Sequence, residues 1–131
     1  MTTYIIVSLI SGVLFGILDG LINANPFAVK LFDAYKPIAK TSANFVAGIL
    51  IDLAYGFIMA GIFLVLYPGL PGATGLVKGL SFGLIAWFFR VAMYVVTQWM
   101  MFKIPAKTLV YILLTGLGEM LIIGFLYGIA L

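Results

Sequence analysis

FVAGILIDLAYGFIMAGIFLVLY, residues 45–67, carries a single formal charge, Asp52, in a run long enough to cross a bilayer as one helix. About 20 apolar residues in helical form span the hydrocarbon core, and three further stretches meet that requirement: Tyr4–Ile22, Leu76–Phe102 and Leu109–Leu131. None shows the period-two alternation of barrel strands and all exceed their length, which excludes a transmembrane barrel. A helix also closes its own backbone hydrogen bonds, as the bilayer demands. The whole chain agrees: 131 residues, 65% hydrophobic and 8% charged, mean hydropathy +1.27, against about 25% charged residues in ordinary soluble domains. The reading is an all-α integral membrane protein, a four-transmembrane-helix bundle forming one domain over residues 1–131. Met1-Thr2-Thr3 supplies no basic side chain and the apolar run after it is too long for a secretory signal, so the first helix is expected to be retained.

The connections differ in kind. In the first, Asn25 is a plausible N-cap and Pro26 a plausible first helical residue, with Phe27, Leu31, Ala34 and Tyr35 at helical spacing until Pro37. A short amphipathic interfacial helix over residues 26–36 is expected, presenting Lys30 and Lys36 to lipid headgroups. The second connection, from Tyr67 to Gly75, is an uncharged turn cluster, and the third, around Ile104-Pro105-Ala106, a tight hairpin turn. Lys30, Lys36 and Lys40 fall in the first connection and Lys103 and Lys107 in the third, whereas Lys78 is the lysine of the opposite side. The positive-inside rule then puts the first and third connections in the cytoplasm and both termini outside.

The two halves share a pattern. Gly12-Val13-Leu14-Phe15-Gly16 matches Gly79-Leu80-Ser81-Phe82-Gly83, and Gly48, Gly56, Phe57, Ile58 and Ala60 match Gly116, Gly124, Phe125, Leu126 and Gly128. Two parallel pseudo-repeated helical hairpins are therefore expected. The glycines also have a packing role, because small residues four apart let helices approach closely. Gly12, Gly16 and Gly20 form such a face on the first span, Gly79 and Gly83 on the third, and Gly124 and Gly128 on the fourth. Gly48 and Gly56 flank Asp52 on one stripe of the second. Exposed faces of this kind favour a homo-oligomer or a partner membrane protein.

Asp19, Asp52, Arg90 and Glu119 place one charge in each span. A charge at bilayer depth costs several kcal/mol or more, so it faces a protein interior or wet cavity and takes a partner. Arg90 keeps its proton and needs a counter-charge; Glu119 is first choice because both residues lie similarly far from the Pro105 turn, and Asp52 is second. Trp87, Tyr94, Thr97, Gln98, Thr115 and Asn44 are placed to extend a polar lining. Three acids with one base cannot be fully ionised and neutral together, which makes one acid a candidate proton carrier. Two functional classes follow: a proton-linked transporter or channel for a small solute or ion, and a non-catalytic accessory or structural subunit of a larger membrane complex. In the second, polar residues and glycine faces contact a partner membrane protein; for the pair itself, the alternative to proton exchange is that Arg90 and Glu119 form a fixed ion pair specifying helix register.

Catalysis has little support. The chain has no histidine and no cysteine, hence no HExxH or CxxC metal motif, no thiolate and no imidazole base for Ser11 or Ser81. Asp19-Gly20 is similar to the start of phospholipid-synthesis motifs, and the similarity stops at those two residues. No cofactor, metal or nucleic acid is expected; the lysines are explained by topology, and the lipid bilayer is the principal partner.

Overall fold

The computed structural model describes residues 1–38 and 45–131 and is helical throughout its long segments. Four helices among the described residues are long and apolar enough to span a membrane: Thr2–Asn23, Val46–Gly69, Gly75–Met101 and Ala106–Ala130. The chain is thus a multi-pass membrane protein. Its surface fits that solvent, since Val65 is 80% exposed, Trp99 70% and Val46 69%, side chains that lipid accommodates without the cost they would carry in water.

In chain order the helices are α1 (Thr2–Asn23), α2 (Pro26–Leu31), α3 (Phe45–Leu66), α4 (Gly75–Trp87), α5 (Met93–Met101) and α6 (Ala106–Ala130). A π-helical turn, Phe88–Ala92, joins α4 to α5 within the third span. The expected fourth span began at Leu109; the helix starts a turn earlier, because the Pro105 carbonyl accepts from Thr108 and Leu109 N–H groups at 3.0 and 3.3 Å. The short helix expected over residues 26–36 also differs from its expected form. Asn25 does cap it, accepting from Ala28 N–H at 2.8 Å, and Pro26 opens it. From Phe32 to Ile38, however, the winding tightens to 3-10, with Pro37 inside.

Packing is organised by hairpin: α1 lies on α3, α4 lies on α6, and the hairpins meet along α1 and α6. Glycine makes each hairpin possible. A Cβ added at Gly56 would stand 2.6 Å from the Gly12 nitrogen, and one at Gly83 2.6 Å from the Met120 carbonyl oxygen. These neighbours are backbone and cannot move aside. Gly12 meets α3 at Asp52, Leu53 and Gly56, whereas Gly79 meets α6 at Gly124 and Gly128. Between the hairpins, Phe63 of α3 stacks edgewise on Phe82 of α4 at 5.4 Å and tilts against Tyr127 of α6 at 5.6 Å. Phe15, Met120 and Ile123 complete this fully buried centre.

The two ends of the bundle have different chemistry. At one, Asn25 Nδ2 donates to the Tyr111 hydroxyl at 3.0 Å, Tyr111 donates to the Ile22 carbonyl, and Thr108 Oγ1 donates to the Leu31 carbonyl at 2.6 Å. The first and third connections consequently share this end. At the other, Tyr4 donates to the Phe57 carbonyl at 2.8 Å, and Lys78 reaches the Tyr67 carbonyl at 2.8 Å while lying over the Tyr67 ring. Both termini lie there, where Tyr4, Tyr67 and Leu131 pack on one cluster.

Overpacking a close helix contact costs about 1–3 kcal/mol. Gly83→Ala should lower thermal stability in detergent by that amount, whereas Gly20→Ala, with no atom within 4 Å of the added carbon, should leave the unfolding midpoint unchanged.

Candidate functional site

The four intramembrane charges converge. Arg90 Nη1 lies 3.4 Å from Glu119 Oε1, with the arginine side chain 35% exposed and the glutamate 6%. The same nitrogen approaches Met120 Sδ at 3.8 Å. The guanidinium carbon sits 5.3 Å from the ring centres of both Phe15 and Tyr55, within cation–π range. Residues from the three other spans thus surround one cation. Asp19 stands within interaction reach of both Asp52 and Glu119, and Arg90 acts electrostatically on those two acids as well. Asp19 is therefore a link between the hairpins.

Local structure explains the convergence. Arg90 occupies the π-helical turn, where one extra residue in the winding re-aims the side chains that follow; such turns recur at functional sites. Val91 of that turn seats against Gly116 of α6, where an added Cβ would come within 2.8 Å of its Cγ1 atom. Gly116 thus lets the bulged turn dock. On the other hairpin, a Cβ at Gly16 would meet Asp52 Oδ2 at 3.4 Å. The carboxyl consequently lies directly over the α1 backbone.

Two spaces meet at Asp19. A cavity of about 200 Å³ is lined by Asp19, Asn23, Arg90, Thr115 and Glu119, with Phe32 at its edge. A groove of about 640 Å³ runs along α1 and α3 past Gly16, Gly20, Gly48 and Asp52, and Asp19 and Asn23 line it too. Among the described residues no group of three or more acids is arranged to hold a metal ion.

The remaining lining expectations divide. Thr115 lines the cavity while its hydroxyl donates to the Tyr111 carbonyl at 2.7 Å. Trp87 turns instead to the α4–α6 contact and donates to the Leu113 carbonyl at 2.9 Å. Thr97 is exposed and bonds back to Met93. Gln98 accepts from Tyr35 at 3.2 Å near the connection end, with Tyr94 also beside Tyr35. Burial raises the Tyr35 phenol above its ordinary value, and Tyr94 adds to the shift. Asn44 lies outside the described residues.

Sequence reasoning missed a buried hydroxyl group nearer the terminal end. Tyr127 donates to Ser11 Oγ at 3.0 Å, Ser11 donates to the Ser8 carbonyl at 3.0 Å, and both hydroxyls approach the Gly56 carbonyl at 3.4 Å. Ser8 Oγ is buried with no hydrogen-bond partner among the described residues. Ser8 and Ser11, three apart on the Gly12 face of α1, were the available signal. Asn23 and Tyr55 were also missed, being hidden among apolar neighbours in their spans.

The chain matches no protein-family model, no curated protein and no solved structure.

Removing one partner of a fully buried ion pair costs about 3–5 kcal/mol, and apolar replacement of both is often neutral. Because Arg90 keeps a third of its surface exposed, Arg90→Ala should cost less, about 1–3 kcal/mol. Arg90→Leu with Glu119→Leu should recover most of it, as read by thermal unfolding of purified protein.

Proposed function

We propose that this protein carries a small solute or ion across the membrane in exchange or company with protons, using the cluster of Asp19, Asp52, Arg90 and Glu119, in which one acid is the proton carrier and Arg90 the fixed charge. One observation carries the reading: three acids from three spans gather at one guanidinium beside a cavity of about 200 Å³. A pair built only to fix helix register would need one acid. The surplus carboxyls cannot all stay ionised next to one cation at that depth, so proton uptake and release offset the charge of whatever enters. Asp19 and Asn23, which line both the cavity and the groove, form the route between them.

The two hairpins are read as diverged copies, supported by glycine-mediated backbone contact in both. The lysine-bearing end is read as cytoplasmic, which puts both termini outside. A second reading, an accessory subunit or self-assembling scaffold, is favoured by the α1–α3 groove. Gly20 and Gly48 have open space above them there, and Asp19 and Asp52 lie in a face that lipid would cover poorly.

Reconstituted into proteoliposomes with an imposed pH gradient, the protein should dissipate the gradient in the presence of its solute. Glu119→Gln and Asp52→Asn should each cut that flux at least tenfold while leaving the unfolding midpoint near the parent value. Parent-level flux in both variants would remove the transport reading, and no flux in any protein, with a co-purifying partner lost on altering Gly20 or Gly48, would favour the accessory role. Alkaline phosphatase fused after Leu131 should be active; an inactive fusion reverses the orientation.

A further inference from the structure

At the connection end a groove of about 400 Å³ runs between α2 and the first turns of α6, lined by Phe27, Lys30, Leu31, Lys107, Val110, Tyr111 and Leu114. Its composition is sorted by position. Both of its charged residues are lysines, one from each helix, and the rest of the lining is apolar or aromatic. We propose that this groove binds an anionic phospholipid, with the headgroup phosphate held between Lys30 and Lys107 and an acyl chain lying along Val110 and Leu114.

Three observations carry the assignment. First, the helices that carry the lysines are held in a fixed relation: Thr108, fully buried, donates to the Leu31 carbonyl at 2.6 Å, and Phe27 meets Tyr111 edge to face at 5.8 Å. The two cations thus stand on one built surface formed by helices far apart in the chain. Second, neither has an ion-pair partner among the described residues, whereas Lys36, of the same connection, pairs with Asp33 at 3.0 Å. Lys30 and Lys107 thus both face the groove with their charges available to an external anion. Third, the surroundings match an amphiphile rather than a free anion. Val110 and Leu114 are 50% and 64% exposed on the lipid-facing side of α6, one turn and two turns beyond Lys107, so a phosphate at the lysines places its own acyl chains on them. Basic pockets beside membrane helices attract anionic headgroups through the same charge complementarity. Lys107 strengthens the case from the helix itself: a cation in the first turn opposes the helix dipole, and a phosphate there would relieve that conflict.

The site is independent of the cavity holding Arg90, so its test does not depend on transport. Purified protein in a neutral detergent is titrated with phosphatidylglycerol or phosphatidylcholine, and binding is read by native mass spectrometry and by the rise in unfolding midpoint. Phosphatidylglycerol should bind about tenfold more tightly, and the preference should weaken as salt is raised. Lys30→Gln and Lys107→Gln should each reduce the preference and together abolish it, whereas Lys30→Arg with Lys107→Arg should retain it. Lys103→Gln, outside the groove, should leave it unchanged. Inorganic phosphate alone should not compete at concentrations comparable to the lipid. Equal binding of the two lipids, a preference that survives the double Gln variant, or full competition by inorganic phosphate would each overturn the proposal. Should the double variant not fold, the two single variants against the arginine pair decide the matter.

Discussion

A guanidinium that cannot lose its proton, placed in the middle of an otherwise apolar span, is the constraint on which the arrangement of this bundle turns. Left toward lipid, Arg90 would carry a cost comparable to a domain's whole stability margin. The fold answers with groups from each of the other three spans: the Glu119 carboxylate at 3.4 Å, the ring faces of Phe15 and Tyr55, and Asp52, with Asp19 lining the same cavity. Packing the hairpins along α1 and α6 is what brings those groups within range. The π-helical turn at Phe88–Ala92 is the local adjustment that lets the third span supply the cation without losing its backbone hydrogen bonds.

Glycine and charge work as one system. Gly12 and Gly56 draw α1 against α3, while Gly79, Gly83, Gly124 and Gly128 draw α4 against α6. Side chains at those positions would hold the helices apart and leave Asp52 short of α1. Gly116 and Gly16 act more locally, receiving Val91 and the Asp52 carboxyl respectively. The glycines at Gly20 and Gly48 face open space, so close packing within one chain does not use them. The bundle thereby has a closed aromatic centre toward the terminal end and a polar, partly open region toward the lysine-bearing end.

The first connection deserves its length. A minimal turn would join α1 to α3; instead residues 26–38 fold back under the bundle, with Asn25 as N-cap and Phe32 at the cavity edge. The hydrogen bond from Thr108 to Leu31 fastens this segment to α6. Lys30 and Lys107 come to share one groove as a result, and the cavity gains an aromatic rim.

Hydropathy and run length determined the number of spans, their approximate limits and the helical class, because the bilayer enforces those on any chain of this composition. The expense of intramembrane charge marked Asp19, Asp52, Arg90 and Glu119, and the Asn25-Pro26 pair marked the start of α2. Sequence could not place Asp19 between the other acids, since that depends on how two hairpins are rotated against each other. Nor could it foresee the π turn, which Phe88-Phe89-Arg90-Val91-Ala92 does not signal, or separate Thr115 in the cavity from Trp87 and Thr97 outside it. Periodicity gives the face of a helix, but the neighbour that face meets is a property of four helices together. The tertiary structure alone decided how Asp19 and Asp52 stand to the Arg90–Glu119 pair, because the contact that joins the two hairpins lies between residues with no local relation in the chain.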